Sequence, residues 1–422
     1  MSPVLALFLS FIVLCIIRVP VAISLGLSSI LALNMIDFTM YTVIQKMFSQ
    51  LTHVSLMAIP GFVFTGIIMS KGGISRHLIE ALKAWVGHLR GGLAVVTILA
   101  CMIFAAISGS SPATAAAIGS IMIPGLVNAG YEKRYAMGLI ACAGTLGILI
   151  PPSIPLILYG VVAEESISEL FMAGIVPGIL LGGMLVVSAV IYAKVHNYGS
   201  LPKQSWSDRG RKSLKAIWGF LLPILILGGI YGGVVTPTEA SFLASLYAFV
   251  VSVFIYKELD FKKFRYMVNE SVNITAMIYL IIASAVVFGM FLTIAQVPQD
   301  LSAWMNANVA NKWIFLIAVN LLIFIMGMFL ESAAIILITV PIFLPILALF
   351  NISPIHFAII LTINLELAMI TPPVGLNLFV VSGISKEKVG EVVRGVMPFF
   401  FLMVLVLAFI VIFPELSLFL TK

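Results

Sequence analysis

Apolar segments of membrane-spanning length follow one another along the whole chain, with short polar connections between them. A run of about 20 apolar residues matches the hydrocarbon core of a bilayer. The pattern predicts ten membrane spans, two of them broken by Pro-Pro pairs: residues 3–17, 20–36, 53–70, 135–162 (broken), 169–195, 216–235, 238–256, 271–294, 355–382 (broken) and 395–415. The alternation typical of β-barrel strands is missing, so we expect an all-α polytopic membrane protein.

Two further apolar pairs differ from these spans. They are residues 91–107 with 112–127, and residues 313–329 with 332–350. In each pair the arms are short and meet at small or polar residues, where a connection between two spans would carry basic residues. We interpret both pairs as re-entrant helical hairpins. Two ordinary spans per pair remain the alternative.

The serine and proline positions that interrupt these segments repeat at an offset of 221 residues. The shift places Ser111 on Ser332, Pro124 on Pro345, and Pro151-Pro152 on Pro372-Pro373. Paired, Pro-broken apolar segments in two halves of a membrane protein indicate the binding site of a transporter.

Composition and charge agree with this class. The chain is 62% hydrophobic and 9% charged, against roughly 25% charged residues in soluble domains. When both termini are placed outside, all of the 23 Lys and Arg residues except Lys46, Lys312 and Lys422 fall on the cytoplasmic side. This is the positive-inside distribution. It makes the two halves inverted repeats, and it explains the net charge of +6 without a nucleic-acid partner.

The predicted organisation is two inverted repeats joined by a basic linker. The units are a first repeat, 1–195 (scaffold spans 1–70, arm 71–90, hairpin 91–127, broken span 135–162), a cytoplasmic linker, 196–215, and a second repeat, 216–422 (scaffold spans 216–294, arm 295–311, hairpin 312–350, broken span 355–382, last span 395–415). Arm 71–90 has apolar residues at helical spacing and suits an interfacial helix. An ordinary surface helix fits it equally well.

The first hairpin tip is expected to bring together the C-terminus of its first arm and the N-terminus of its second arm. Ser111 is the expected N-cap of the second arm and Pro112 its first residue, so free N–H groups there attract a carboxylate. The first arm ends near Ser108 with free carbonyls that suit a cation. We therefore predict ion contacts from Ser108 and Ser111, and substrate contacts from three neighbours, Ser110, Pro112 and Thr114.

The first broken span supplies more oxygen ligands. Neither Pro151 nor Pro152 has an N–H to donate, so carbonyls near Gly147 and Ile148 are expected to lose their helical partners. With Thr145 they form an uncharged cage of oxygens, which suits Na⁺. The predicted ion ligands here are Thr145, Gly147 and Pro151.

The second half repeats the arrangement with acidic residues. An ionisable group inside a membrane is costly and is usually functional. The predicted ion ligands are Gly327, Glu331 and Thr371, and the predicted substrate contacts are Ser332, Glu366 and Asn377. We expect either glutamate to bind Na⁺ directly or to carry a proton. A structural hydrogen bond, or a position nearer the membrane interface, is the alternative for one of them.

Signatures of catalysis are missing. The chain has no phosphate-binding Gly-x-x-x-x-Gly-Lys-Ser/Thr loop, no Gly-x-Ser-x-Gly elbow and no His-Glu-x-x-His motif. Its cysteines and histidines show no metal-ligand spacing. We expect no enzyme activity, no cofactor and no metal other than Na⁺ as the coupling ion.

Three motifs together resemble the large membrane subunit of TRAP (tripartite ATP-independent periplasmic) transporters: Ile107–Thr114, Gly144–Pro155 and Ile370–Phe379. The resemblance implies an elevator-type, sodium-driven carrier of organic acids, such as C4-dicarboxylates or sialic acids, in the bacterial inner membrane. It also implies two partners, a small four-helix membrane subunit and a periplasmic substrate-binding protein. Glu331 departs from the Asp expected at its position.

Two other classes of function remain open from the residues alone. One is a stand-alone carboxylate symporter driven by Na⁺ or H⁺, and the other is a channel or a non-transporting assembly protein. The sequence does not name the substrate.

Overall fold

The computed structural model describes residues 2–198, 200–308 and 311–421, and this part of the chain is built from helices. Met1, Gly199 and Lys422 lie outside the described residues, so the predicted outer position of Lys422 does too. Val309 and Ala310, within the predicted arm 295–311, also lie outside them.

The described residues form α-helices that follow the predicted order closely. They are α1 (Pro3–Ile16), α2 (Val21–Asn34), α3 (Met40–Leu51), α4 (Ala58–Lys71), α5 (Ile74–Val86), α6 (Gly92–Ser108), α7 (Ser111–Asn128), α8 (Lys133–Thr145), α9 (Ile154–Ala163), α10 (Ile167–Val195), α11 (Trp206–Tyr231), α12 (Pro237–Val250), α13 (Phe261–Ile294), α14 (Val297–Asn308), α15 (Lys312–Gly327), α16 (Ser332–Leu349), α17 (Pro354–Met369), α18 (Leu376–Ser385), α19 (Val389–Ile412) and α20 (Glu415–Leu418). Short 3-10 segments precede α4 and follow α8, and a π-helical turn extends α12.

Seven of the described helices are long and apolar enough to cross a bilayer: α4 with its 3-10 turn, α10, α11, α12 with its π-turn, α13, α16 and α19. The predicted spans 3–17 and 20–36 are helices of 14 residues each. At 1.5 Å per residue each is about 21 Å long, shorter than a bilayer core. Since α16 is the second arm of a hairpin, length alone does not separate a re-entrant arm from a span.

Two helices begin well before their predicted spans, one of them inside the predicted linker. Helix α11 starts at Trp206, inside the predicted linker 196–215, because the Ser205 hydroxyl accepts from the Asp208 N–H at 3.1 Å and caps the helix. Helix α13 starts at Phe261 behind the cap Asp260. Hydropathy finds only the apolar part of such helices, whereas the cap determines where the backbone turns helical.

Helix α3 was not predicted. It exposes Tyr41, Ile44 and Phe48 and buries Val43, so it presents one apolar face outward. With 12 residues and interspersed polar positions it gives no span signal. Its pattern is that of a short helix lying along a surface.

The two halves repeat the same helices in the same order at the 221-residue offset. Helix α7 maps onto α16, α8 onto α17, α9 onto α18 and α10 onto α19. Contacts between halves are exchanged as a two-fold relation requires: α4 packs on α12 while α13 packs on α2, and α7 packs on α18 while α16 packs on α9.

Helix α8 crosses α19 at a pair of glycines. A Cβ built on Gly138 would lie 1.9 Å from the Gly395 carbonyl oxygen, so the backbones touch. Ion pairs hold the start of α8 to the start of α19 and to the residues just before it, Arg134 with Glu391 and Lys133 with Glu387. The hydrogen bond and charge of Lys133 hold the pKa of Glu387 below its usual range.

Gly138→Ala is expected to lower stability by roughly 1–3 kcal/mol, because the new methyl group has no space against backbone atoms. Thermal unfolding of the purified protein in detergent measures the loss. Gly183→Ala in α10 is the matched control, since a Cβ there meets nothing within 4 Å. Equal melting temperatures for the two variants would contradict the close crossing.

Candidate functional site

The tips of the two hairpins meet at one cavity of about 90 Å³. Tip residues 108–113 line it from α6 and α7, and residues 331–333 line it from α16. Helices α4 and α13 close it on another side through Gly66, Ile274 and other small or apolar residues. Its lining contains hydroxyl groups and one carboxylate but no basic side chain. Such a lining favours a cation over an anion.

The first tip is tied to the break in the first broken span. Helix α6 ends at Ser108, and Gly109 follows with φ = 61°. The Ile154 N–H donates to the Gly109 carbonyl at 3.2 Å. A Cβ at Gly109 would lie 2.9 Å from the Pro152 carbonyl oxygen. Glycine is therefore required here both for the left-handed backbone and for the close approach.

The cap of α7 differs from the prediction by one residue. Ser110 has extended backbone and is the N-cap, while Ser111 begins the helix and Pro112 follows it. The Thr114 hydroxyl donates to the Ser110 carbonyl at 2.8 Å and lies 3.0 Å from the Ser108 hydroxyl. Since Pro is equally well tolerated at either early position of a helix, the sequence did not distinguish them.

The first break is buried except for the partly exposed Ile150, and it packs on this tip. Helix α8 ends at Thr145, whose hydroxyl donates to the Cys142 carbonyl at 2.7 Å. Gly147 lies so close to the tip that a Cβ would be 2.5 Å from the Ser110 carbonyl oxygen. The Ile148 carbonyl, predicted to lose its helical partner, accepts a hydrogen bond from the Ser153 hydroxyl instead of from a backbone N–H.

Ser153 was missed although its signal was present. A serine follows the Pro-Pro pair and precedes Pro155, which is the pattern of an N-cap. In the structure it caps α9 and also satisfies the break. Gly66 was missed for another reason. It is one of 33 glycines, and its packing against the first tip, where a Cβ would lie 3.1 Å from the Ser108 Cβ, follows only from the tertiary structure.

The second tip has the same tether to the second break. The Val374 N–H donates to the Met328 carbonyl at 3.1 Å. Glu331 is the N-cap of α16 by its backbone, yet its carboxylate makes no capping bond. No ion pair to Glu331 occurs in residues 2–198, 200–308 and 311–421, and its side chain lines the cavity beside Ser332. Gly327 packs against Ala368 of α17.

The second break is open where the first is closed. Pro372, Pro373 and Val374 are exposed, whereas residues 151–153 are buried. The Thr371 hydroxyl donates to the Leu367 carbonyl at 2.7 Å. The two breaks therefore share a backbone pattern but not the same environment.

Asn377 connects the second break to the first tip. Its amide donates to the Ser111 hydroxyl at 2.7 Å and to the Ala141 carbonyl at 3.1 Å, and the residue is completely buried. Its place in the other half is held by apolar Leu156. This contact joins helix α18 to α7 and α8 across the two halves.

Glu366 lies away from the cavity lining. It sits on α17 with no exposed surface, and neither carboxylate oxygen has a hydrogen-bond partner in the described residues. Of the predicted residues, the cavity gathers Ser108, Ser110, Ser111, Pro112, Glu331 and Ser332. The others stand behind it: Thr114, Thr145, Gly147 and Pro151 around the first break, and Gly327, Thr371, Glu366 and Asn377 around the second.

Asn377→Ala and Ser111→Ala are each expected to destabilise the protein by about 1–3 kcal/mol, because each leaves a buried polar partner unsatisfied. The double variant should cost less than the sum, with a coupling of roughly 0.5–3 kcal/mol. Thermal unfolding of the four proteins measures it. Ser120→Ala combined with Asn377→Ala is the control and should be additive, since the Ser120 hydroxyl bonds within α7. Additivity at Ser111 would contradict the contact.

Known proteins match this chain along nearly its whole length. Residues 8–416 match the family described as tripartite ATP-independent periplasmic transporter, DctM component. The C4-dicarboxylate TRAP transporter large permease protein DctM of Pseudomonas aeruginosa is 43% identical, covering 94% of this chain and 93% of that protein. The isethionate TRAP transporter permease protein DctMQ of Oleidesulfovibrio alaskensis is 39% identical over 99% of this chain and 66% of its own length.

The fold is also found in a solved structure. The YdaH transporter of Alcanivorax borkumensis, described as having an unusual topology, superposes with a TM-score of 0.66 over 98% of this chain and 97% of that one. The two sequences are 15% identical, so this likeness concerns the fold alone. From the extent and identity of the family matches, this chain belongs to the DctM family of TRAP transporter large permeases, multi-pass membrane proteins that move organic acids and are not enzymes.

Proposed function

We propose that this protein carries a small carboxylate into the bacterial cell together with Na⁺. It does so in the inner membrane, with both termini on the periplasmic side. The observation that supports this best is the meeting of two hairpin tips and their broken helices at one cation-favouring cavity.

The sodium ions bind at the tips and breaks. The ligands we propose are Ser108, Ser111, Thr145, Gly147 and Pro151 in the first half and Gly327, Glu331 and Thr371 in the second. Hydroxyl, carbonyl and carboxylate oxygens are the ligands that hard cations prefer. Glu331 supports the assignment because it reaches the cavity without an ion-pair partner among the described residues.

The substrate carboxylate binds at the N-termini of α7 and α16. Both helices begin at the cavity, and free N–H groups with the positive dipole end attract anions there. Bound Na⁺ adds positive charge to a lining that has no basic residue. Ser110, Pro112 and Ser332 form this side, and Thr114 supports it through its contacts with Ser108 and Ser110. Asn377 acts through Ser111, and Glu366 acts from behind the break.

Transport proceeds by an elevator movement. Helices α1–α4 and α11–α13 form the scaffold, while the hairpins, the broken helices, α10 and α19 move together. The packing supports this division, because α10 lies on α6, α9, α17 and α19. The cavity lies where scaffold helices α4 and α13 face the tips, and Gly66 gives a smooth surface there. Helices α5 and α14 act as arms between the two parts.

A substrate-binding protein and a small membrane subunit complete the transporter. The relative named DctMQ supports the second partner, because this chain covers only 66% of its length. The remainder is long enough for an additional membrane component. The name of the Pseudomonas aeruginosa relative makes C4-dicarboxylates the first substrates to test.

Na⁺ should raise the melting temperature of the purified chain relative to K⁺ at equal ionic strength. A ligand at about 100 times its dissociation constant stabilises by roughly 2.7 kcal/mol. Glu331→Ala should abolish most of the shift and Glu331→Asp should retain part of it. Ser120→Ala, in α7 but away from the tip, should keep the shift. A shift that Glu331→Ala leaves intact would contradict the ion site.

Uptake of radiolabelled succinate into proteoliposomes tests the transport proposal. The chain is reconstituted with its small subunit, and the binding protein is added outside. Uptake should require an inward Na⁺ gradient and the binding protein, and Ser108→Ala should slow it. Uptake without the binding protein would instead indicate a stand-alone symporter. Uptake driven by a pH gradient in the absence of Na⁺ would indicate proton coupling.

A further inference from the structure

A basic cavity lies far from the tips, where helix α4 ends and helix α13 begins. It has a volume of about 460 Å³ and is lined by Lys71, Lys262, Lys263 and Tyr266. Three ammonium groups and one phenol surround it, and its lining contains no carboxylate. This is the donor set expected around a phosphate group.

The first turns of α13 build one wall as a regular ladder. Lys262, Tyr266 and Glu270 follow at intervals of four residues and therefore share one face of the helix. The ammonium group of Lys71, at the end of α4, lies 4.0 Å from the centre of the Tyr266 ring and pairs with Glu270. This face of α13 thus presents the Lys262 ammonium group at its start and the neutralised Lys71–Glu270 pair two turns further along.

The acidic groups around this cavity are already engaged. Glu270 pairs with Lys71, and Glu258 pairs with Arg76 on α5. Asp260 accepts the Lys263 backbone N–H at 2.7 Å as a helix cap. Among the described residues, no carboxylate lies within ion-pair distance of the side chains of Lys262 and Lys263. The Lys263 ammonium group donates one hydrogen bond to the Glu258 carbonyl at 2.9 Å, which does not neutralise its charge, so the positive charge of both lysines is left for a ligand.

The surroundings are those of a membrane interface. Phe261 is 82% exposed at the start of α13, and Phe254 and Tyr266 are also exposed. Tyr266 lines the cavity together with the lysines, and Phe261 directly precedes Lys262 in the chain. Lysine side chains bury their apolar stems and keep the charged end at the surface. A ligand here meets apolar side chains as well as ammonium groups. A lipid satisfies both, whereas free phosphate satisfies only one.

We propose that this cavity binds the headgroup of an anionic phospholipid, with its phosphate between Lys262 and Lys263 and beside the Lys71–Glu270 pair. Lys71 is followed by Gly72 and by Gly73, whose φ is 88°, and then by the arm helix α5. A lipid held at Lys71 therefore sits at the joint between the scaffold and the arm. This site is independent of the carboxylate and sodium sites proposed above.

Native mass spectrometry of the purified full chain in neutral detergent tests the site. The protein is titrated with phosphatidylglycerol or phosphatidylcholine, and the bound-lipid fraction is measured. The wild type should retain phosphatidylglycerol in preference to phosphatidylcholine. Each Lys→Gln change at the site should weaken binding about fivefold, as expected for one cationic group near anionic lipid. The K262Q/K263Q variant should therefore lose the preference, and K262R/K263R should restore it.

The matched control is K194Q/K203Q, which removes the same charge from two exposed lysines elsewhere on the chain. It should bind phosphatidylglycerol as the wild type does. An equal loss in both double variants would overturn the proposal, because net charge alone would then explain binding. Displacement of the lipid by equimolar inorganic phosphate would also overturn it, in favour of a site for free phosphate. Thermal unfolding without lipid confirms that each variant is folded.

Discussion

Backbone polar groups that lack water must find partners inside the protein, and this constraint shapes the centre of the molecule. Four helices, α6, α8, α15 and α17, end at a hairpin tip or at a break, and each interruption frees carbonyl and N–H groups. The structure satisfies them by pairing each hairpin tip with a break. The Ile154 N–H donates to the Gly109 carbonyl, and the Val374 N–H donates to the Met328 carbonyl. Each interruption is thus stabilised by another interruption.

This pairing determines what the centre can bind. Because tips and breaks must lie together, their remaining oxygens and the starts of α7 and α16 collect around one small cavity. Close approach in turn requires small residues. Gly109, Gly147 and Gly66 stand where a Cβ would meet backbone or side-chain atoms of the neighbouring element. A polar centre with tight glycine contacts and no basic side chain suits dehydrated cations.

The two halves are related by a repeat but have diverged chemically. Hydroxyls and a closed break characterise the first half, whereas Glu331, Glu366 and an exposed break characterise the second. Asn377 bridges them through Ser111, and Leu156 replaces it in the equivalent position. The two halves therefore share a similar backbone arrangement, but substitutions give the two tips and breaks different side chains. The basic cavity at Lys71 and α13 is likewise confined to one side of the scaffold.

The sequence by itself determined the class, the order of helices and the positions of the tips and breaks. Long apolar runs, Pro-Pro pairs and the 221-residue repeat are patterns in the order of residues along the chain, so they can be recognised without tertiary structure. We did not predict the short helix α3, nor the helix starts that are set by the polar caps Ser205 and Asp260. Hydropathy identifies long apolar runs and does not detect these features. The pairing of Ile154 with Gly109, the bond from Asn377 to Ser111 and the isolation of Glu366 from the cavity were decided only by the tertiary structure. They depend on which residues distant in sequence come into contact, and in an apolar medium that depends on close packing and on satisfying buried polar groups.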